Sequence, residues 1–328
     1  MVTLFWPDLQ PDIPRDTIRF LMAMTLPGIL MFIALHGIYE PSAIQQLPDG
    51  RFLVAEDEKD FPFSLLTIHR DGTTTVEFPI VDSGEEGPGK LDDLEGLTVD
   101  SAGFVYAITS HSRNSKGEEK KSREKLVRFR IEGNRLISSR TVNDLKPALT
   151  ASHPLLAKAA AIADVKGGGG FNIEALEFSA DQRNLMIGFR SPLDAGRALV
   201  ATLRNPAEIF ESGAEPNVAP ELIRLDLGGD GLRGMSWAPS LQGYLLISGP
   251  VAKAQTQFRL WFWNGQADAK ARPAEVEGLP GFEHAEGVTP AVIDGKPGIV
   301  IVSDDGSREE GRPARYLQLA PEKIRILP

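Results

Sequence analysis

Residues 95–112 read EGLTVDSAGFVYAITSHS: an acid, a small residue, a short apolar run, a turn, and a second run that ends in polar side chains. The same shape recurs at 40–57 (EPSAIQQLPDGRFLVAED), 174–191 (EALEFSADQRNLMIGFRS), 233–250 (RGMSWAPSLQGYLLISGP) and 286–305 (EGVTPAVIDGKPGIVIVSDD). β-Branched and aromatic runs parted by turn residues are hairpin signals. Two more strand-like runs follow each hairpin. They are 64–69 and 73–80, 126–131 and 136–141, 198–203 and 222–227, 259–263 and 274–278, and 315–319 and 324–327. Four strands in a unit of about 55 residues is the signature of a β-propeller blade. We therefore expect an all-β fold, a single β-propeller domain over 40–328 with five four-stranded blades. Six blades result if the N-terminal strands help to build another. Closing the ring removes sheet edges that would otherwise aggregate.

The composition agrees with this. Gly 32 and Pro 24 in 328 residues make about 17 %, above the ordinary share of roughly 12 %, as a turn-rich fold requires. The net charge of −10 repels a phosphate backbone, which argues against a nucleic-acid partner. With Cys 0 there is no disulfide, thiolate metal site or Cys nucleophile, and the chain has no G-x-S-x-G elbow.

Residues 1–39 are expected to supply strands that close the propeller. Residues 20–37 (FLMAMTLPGILMFIALHG) carry no Asp, Glu, Lys or Arg, but Pro27-Gly28 breaks the run and no positive stretch precedes it. We read 18–24 and 29–35 as two buried strands around that turn, with no membrane span and a cytoplasmic location. An export signal at 20–37, giving a periplasmic or secreted protein, is the alternative. Residues 143–170 form an insertion in the second unit, with one short helix in 155–163. Gly167–Gly170 reads as a return linker, because a phosphate-cradling loop needs a helix after it and a nearby Lys.

In each unit the leading residue opens the first strand and the polar cluster closes the second. An antiparallel hairpin brings those points together at one end of the blade. If the first strands are innermost, all five ends meet at one mouth of the central channel. The ring expected there holds Glu40, Glu95, Glu174 and Glu286, flanked by Asp57, Asp304 and Asp305, with Arg113, Arg190 and Arg233 among them. Crowded carboxylates repel, and a hard cation such as Ca²⁺ relieves that through oxygen ligands. Glu40, Asp57, Glu286, Asp304 and Asp305 are the ligands expected for it. Arg113, Arg190 and Arg233 could hold an anionic ligand in bidentate fashion. His111 is the candidate general base, with Glu95 and Glu174 as further catalytic candidates, and His284 is the other histidine near the rim. Recurrence in every unit equally suits glutamates that brace neighbouring blades. The charged run 116–125 reads as a solvated loop, or alternatively as a lid. Trp237, Trp261 and Trp263 read as core.

Four motifs carry a family likeness: Asp93-Leu94-Glu95-Gly96-Leu97, Gly169-Gly170-Phe171-Asn172-Ile173-Glu174-Ala175-Leu176, Gly231-Leu232-Arg233-Gly234-Met235 and Ser303-Asp304-Asp305-Gly306. From about Glu40 onward the chain resembles a bacterial family of unknown function similar to the phytase-like, esterase-like propellers. The resemblance implies a β-propeller and a metal-assisted hydrolase of a small anionic phosphoester or ester at the channel mouth. The alternative is a non-catalytic propeller that binds a protein or a small ligand.

Overall fold

The computed structural model describes residues 18–20, 30–57, 62–81, 87–163, 169–252, 257–282 and 284–328. Strands β1 (Ile18–Phe20) and β2 (Ile33–Leu35) precede the first blade. Blade one is β3 (Pro41–Gln46), β4 (Phe52–Glu56), β5 (Phe63–Ile68) and β6 (Thr74–Glu77). After the short β7 (Ile80–Val81), blade two is β8 (Leu94–Val99), β9 (Val105–Thr109), β10 (Leu126–Glu132) and β11 (Arg135–Val142). Helices α1 (Leu145–Ser152) and α2 (Pro154–Ala160) lead to blade three. That blade is β12 (Asn172–Phe178), β13 (Leu185–Asp194), β14 (Arg197–Leu203) and β15 (Ile223–Leu225), with α3 (Glu208–Glu211) before its last strand. Blade four is β16 (Gly231–Ala238), β17 (Gly243–Gly249), β18 (Arg259–Trp263) and β19 (Arg272–Val276). Blade five has three strands of its own, β20 (Ala285–Ile293), β21 (Lys296–Ser303) and β22 (Ala314–Leu319), and β23 (Ile324–Ile326) follows. The protein is a five-bladed, nearly all-β propeller.

Strands near both ends of the chain pair outside their own units. β2 pairs with β22 and completes blade five (Ile33 opposite Tyr316), whereas β1 adds a fifth strand to blade one beside β6. The two N-terminal strands therefore belong to different sheets and build no sixth blade; residues 21–29, including Pro27-Gly28, lie outside the described residues. Because β2 occupies the outer edge of blade five, β23 caps blade four instead, opposite β19. The 73–80 run splits as well, since β7 crosses to pair in parallel with β11 of blade two. Among the described residues no helix is long and apolar enough to cross a membrane.

The insertion carries two helices where one was expected. Pro147 falls in the first turn of α1 and Pro154 opens α2, positions whose N–H has no helical partner in any case. Leu145, Leu149 and Leu156 pack with Phe171 and Phe189 into the core between blades two and three. Gly167 and Gly168 lie outside the described residues.

Five apolar clusters hold the ring together, one at each blade interface. Alternate side chains of a strand face opposite sides of the sheet. Thus Leu53 and Ala55 of β4 pack toward blade two, while Phe52 and Val54 pack toward blade five. This two-sided burial explains strands that are apolar at nearly every position. Burying an aliphatic or aromatic side chain contributes about 1.5–3 kcal/mol, so the interfaces rather than any central core supply the stability.

The innermost strands β3, β8, β12, β16 and β20 surround the channel. Each carries a bulge at one equivalent place, skipping Ser42, Glu95, Glu174, Arg233 and Glu286 in the pairing with its neighbour. A bulge leaves its extra residue unpaired and re-aims the side chain. The next residue is small in every blade: Ala43, Gly96, Ala175, Gly234, Gly287. At Gly234 the reason is direct, since a Cβ there would run into the Glu286 carbonyl oxygen.

Candidate functional site

The shared bulge defines the ring at the mouth and corrects its first member. Ser42, not Glu40, is the blade-one equivalent of Glu95, Glu174, Arg233 and Glu286, because pairing passes from Pro41 to Ala43. Glu40 lies two residues earlier, where its carbonyl accepts the Asp57 N–H at 3.0 Å.

Arg233 acts as a clamp inside this ring. Its Nη1 lies 2.9 Å from Glu174 Oε2, and its Nη2 contacts Glu286 Oε1, so one guanidinium joins blades three, four and five. Arg190 reaches the other oxygen of Glu174 at 3.1 Å and donates from Nε to Pro250 O at 3.1 Å. Glu174 and Glu286 are buried. Their charges are matched inside the protein.

Three residues further along the inner strands, Glu177 makes a second tie. It accepts hydrogen bonds from Thr98 Oγ1 (2.5 Å), the Phe178 N–H (2.7 Å), Ser236 Oγ (2.9 Å) and the Trp237 N–H (3.0 Å), linking blades two, three and four. Burial still pushes its carboxyl above the usual range, against those four donors.

Above the ring opens a cavity of about 730 Å³. Asp57, Asp92, Asp93, Glu95 and Glu174 line it, as do Arg113, Lys116, Lys120, Arg123 and Arg190. Below, the channel shrinks to a void of about 10 Å³ lined by Ser42, Glu95, Glu174 and Glu286, room for roughly one water. The cavity is thus closed at its floor. The 112–120 loop and the end of the helical insertion form one wall, joined where Arg113 Nε donates to Ala160 O at 3.2 Å.

The cavity charges are unevenly paired. Arg113 is held by Glu119 at 3.0 Å and by the Gly117 and Ala160 carbonyls. Arg123 lies 2.8 Å from Asp93, with Ser112 donating to the same carboxylate at 3.2 Å. Each mouth arginine therefore has a carboxylate partner. Glu95 has neither a hydrogen bond nor an ion pair among the described residues; burial, then Glu174, Asp93 and Asp57, hold its carboxyl well above the usual range. Burial and Asp93 push Asp57 up to about 7, although it faces the cavity water, which works against the shift. Asp93 and Asp304 are raised mainly by burial too, with Arg123 and Arg233 respectively opposing.

His111 does not belong to the cavity. It is fully buried, its Nδ1–H donates to Thr109 O at 2.8 Å, and burial pushes its imidazole down to about 4. A neutral, enclosed ring cannot relay protons to a ligand at the mouth, so the general-base expectation fails on geometry. His284 is exposed and stacks beside Phe258, with centroids 5.5 Å apart.

The five expected calcium ligands do not converge. Glu286 is taken by Arg233, and Asp305 by Arg315 and by Ser303 Oγ at 2.7 Å. Glu40 stands off the ring, and Asp57 lines the cavity, to which Glu286, Asp304 and Asp305 do not contribute. Among the described residues, no three acidic or histidine side chains are grouped to hold an ion. The set does not fit Ca²⁺, which needs about 6–8 oxygens.

Several lining residues carried little signal in the sequence. Asp92 and Asp93 stand just ahead of the Glu95 unit, parted from it by Leu94, and Arg123 lies inside the run read as a solvated loop. Asn172 enters through the bulged start of β12 and donates from Nδ2 to Glu174 Oε1 at 2.7 Å.

No family model and no curated protein matches the chain. Among solved structures it is similar to the hydrazine synthase of Kuenenia stuttgartiensis, at 13% identity and a TM-score of 0.37, covering 85% of this chain and 74% of that one. It is also similar to the Cps50 (Swd1) beta-propeller domain of Myceliophteria thermophila, at 9% identity and a TM-score of 0.33, covering 85% and 66%. Likeness at this level bears on neither ligand nor reaction.

Proposed function

We propose that this propeller binds a small polar ligand in the cavity at its channel mouth, with the arginines serving as framework. The observation that carries this reading is Glu95, a carboxyl without a partner among the described residues, at the floor of a cavity whose arginines are already matched. A volume of about 730 Å³ falls within the roughly 300–1,000 Å³ of ordinary ligand pockets. Thermal melts against a panel of amines, polyols, sugars and carboxylates test it, with Glu95→Gln as control. A ligand that binds only the folded state raises the melting temperature, by an equivalent of about 2.7 kcal/mol at a hundred times its dissociation constant. The stabilisation should be lost in Glu95→Gln. No response to any class would remove the reading.

Hydrolysis is the second reading, consistent with the likeness to phytase-like, esterase-like propellers. What favours it is the raised carboxyl of Glu95, a property of general acids. The catalyst would then be a carboxyl rather than a shared calcium. Turnover of p-nitrophenyl phosphate or p-nitrophenyl acetate that survives EDTA and is lost in Glu95→Gln would support it.

A further inference from the structure

The chemistry of the ligand can be specified further, on the reading that the mouth binds a small polar molecule. Charge in the cavity is sorted by depth. At the floor, Glu95 and Glu174 line both the cavity and the narrow void beneath it. Glu174 is matched by Arg190 and Arg233, whereas Glu95 is unmatched among the described residues. Asn172, 7% exposed, lines the same cavity. Its Nδ2 is committed to Glu174, while its Oδ1 has no hydrogen-bond partner among the described residues. Among the residues that line the floor, the unmatched groups are therefore acceptors. An ammonium, with three N–H donors and no acceptor, suits them.

At the rim the balance is reversed. Lys116 is exposed and has no ion-pair partner among the described residues, and Lys120 has only Glu118 at 3.5 Å, both exposed. The arginines that line the cavity, Arg113, Arg123 and Arg190, are paired.

We propose that the ligand is a small zwitterion, with its primary ammonium on Glu95 and Asn172 at the floor and its carboxylate on Lys116 and Lys120 at the rim. A simple anion would meet Asp57, Asp92, Asp93 and Glu95; a simple cation would leave both lysines unused. An ammonium beside Glu95 also favours its ionised form, so binding releases a proton.

Calorimetric titration tests this with 4-aminobutyrate, 6-aminohexanoate and 8-aminooctanoate, each beside its matched alkylamine and carboxylate. At least one amino acid should bind tenfold or more tighter than both of its single-charge partners. The heat should vary with the ionisation enthalpy of the buffer, reporting proton release. Glu95→Gln should remove that release and weaken binding at least tenfold. The Lys116→Ala/Lys120→Ala variant should retain the release yet lose the advantage over the amine. Carboxylates that bind as tightly as the amino acids, and are lost in the lysine variant, overturn the zwitterion and leave the ligand-binding reading standing. If no member of the series binds at tens of millimolar, the zwitterion also falls; the wider melt panel then decides separately whether the mouth binds anything.

Discussion

Arg233 of blade four holds Glu174 of blade three at 2.9 Å while its other nitrogen contacts Glu286 of blade five. One side chain thereby fastens three of the five blades at the mouth. Glu174 keeps Arg190 and Asn172 as further partners, whereas the Glu286 side chain, 6% exposed, has little water to fall back on.

Arg233→Ala should therefore be strongly destabilising. Removing one partner of a buried pair costs about 3–5 kcal/mol, because the remaining charge stays buried and unpaired. Urea denaturation should show it as a lower midpoint. Arg233→Lys should recover only part of the loss, since an ammonium lacks the planar fork that spans two carboxylates. A loss under about 1 kcal/mol for the alanine variant would show that Arg233 is no brace.

Glu177 provides a second test of how the blades are tied. Glu177→Ala leaves buried Thr98 and Ser236 hydroxyls and two N–H groups without their acceptor. Each orphaned buried donor costs about 1–3 kcal/mol, less what rotating hydroxyls or an entering water recover. Hydrogen exchange should accelerate at the Trp237 amide before the outer strands respond.

These two ties also mark what the sequence made legible. Five hairpins with alternating apolar faces are a local pattern, and each formed a blade because local pattern governs local pairing. Aligning the repeats on their acids placed Glu40 in the ring; aligning them on the small residue, Ala43 with Gly96, Ala175, Gly234 and Gly287, places Ser42 there. A bulge adds a residue without changing composition, so spacing alone did not reveal it. The pairing of Arg233 with two blades at once, and the exchange of β2, β7 and β23 between sheets, depend on contacts far apart in sequence. No local signal encodes them.

The raised carboxyls predict a pH dependence. A carboxyl whose folded value lies above its unfolded value binds more protons when folded. It contributes stability fully below about pH 4, the unfolded value, and that contribution is lost as pH rises through the folded value, about 7 for Asp57. Melting temperature should therefore decline between pH 5 and 7 more in the wild-type protein than in an Asp57→Asn/Glu95→Gln variant. Parallel curves would show that neither carboxyl is perturbed.

His111 acts in the opposite sense. Its folded value of about 4 lies below the roughly 6.5 of an unfolded imidazole, so its contribution is present above 6.5 and is lost as pH falls toward 4. In an NMR titration its ring should stay neutral at pH 5.5. His111→Gln should flatten the acid limb of the stability curve and leave ligand binding at the mouth unchanged.

The pairing of β2 with β22 also sets a schedule for biosynthesis. Ile33 is made well before Tyr316, the residue opposite it. At about 5–20 residues per second, the roughly 280 residues between them take on the order of tens of seconds to synthesise. Through that interval the side of blade one that will meet blade five stays uncovered, with Phe52, Val54 and Leu66 waiting for partners not yet made. The nascent chain therefore carries exposed apolar surface on blade one until the strands of blade five have left the ribosome.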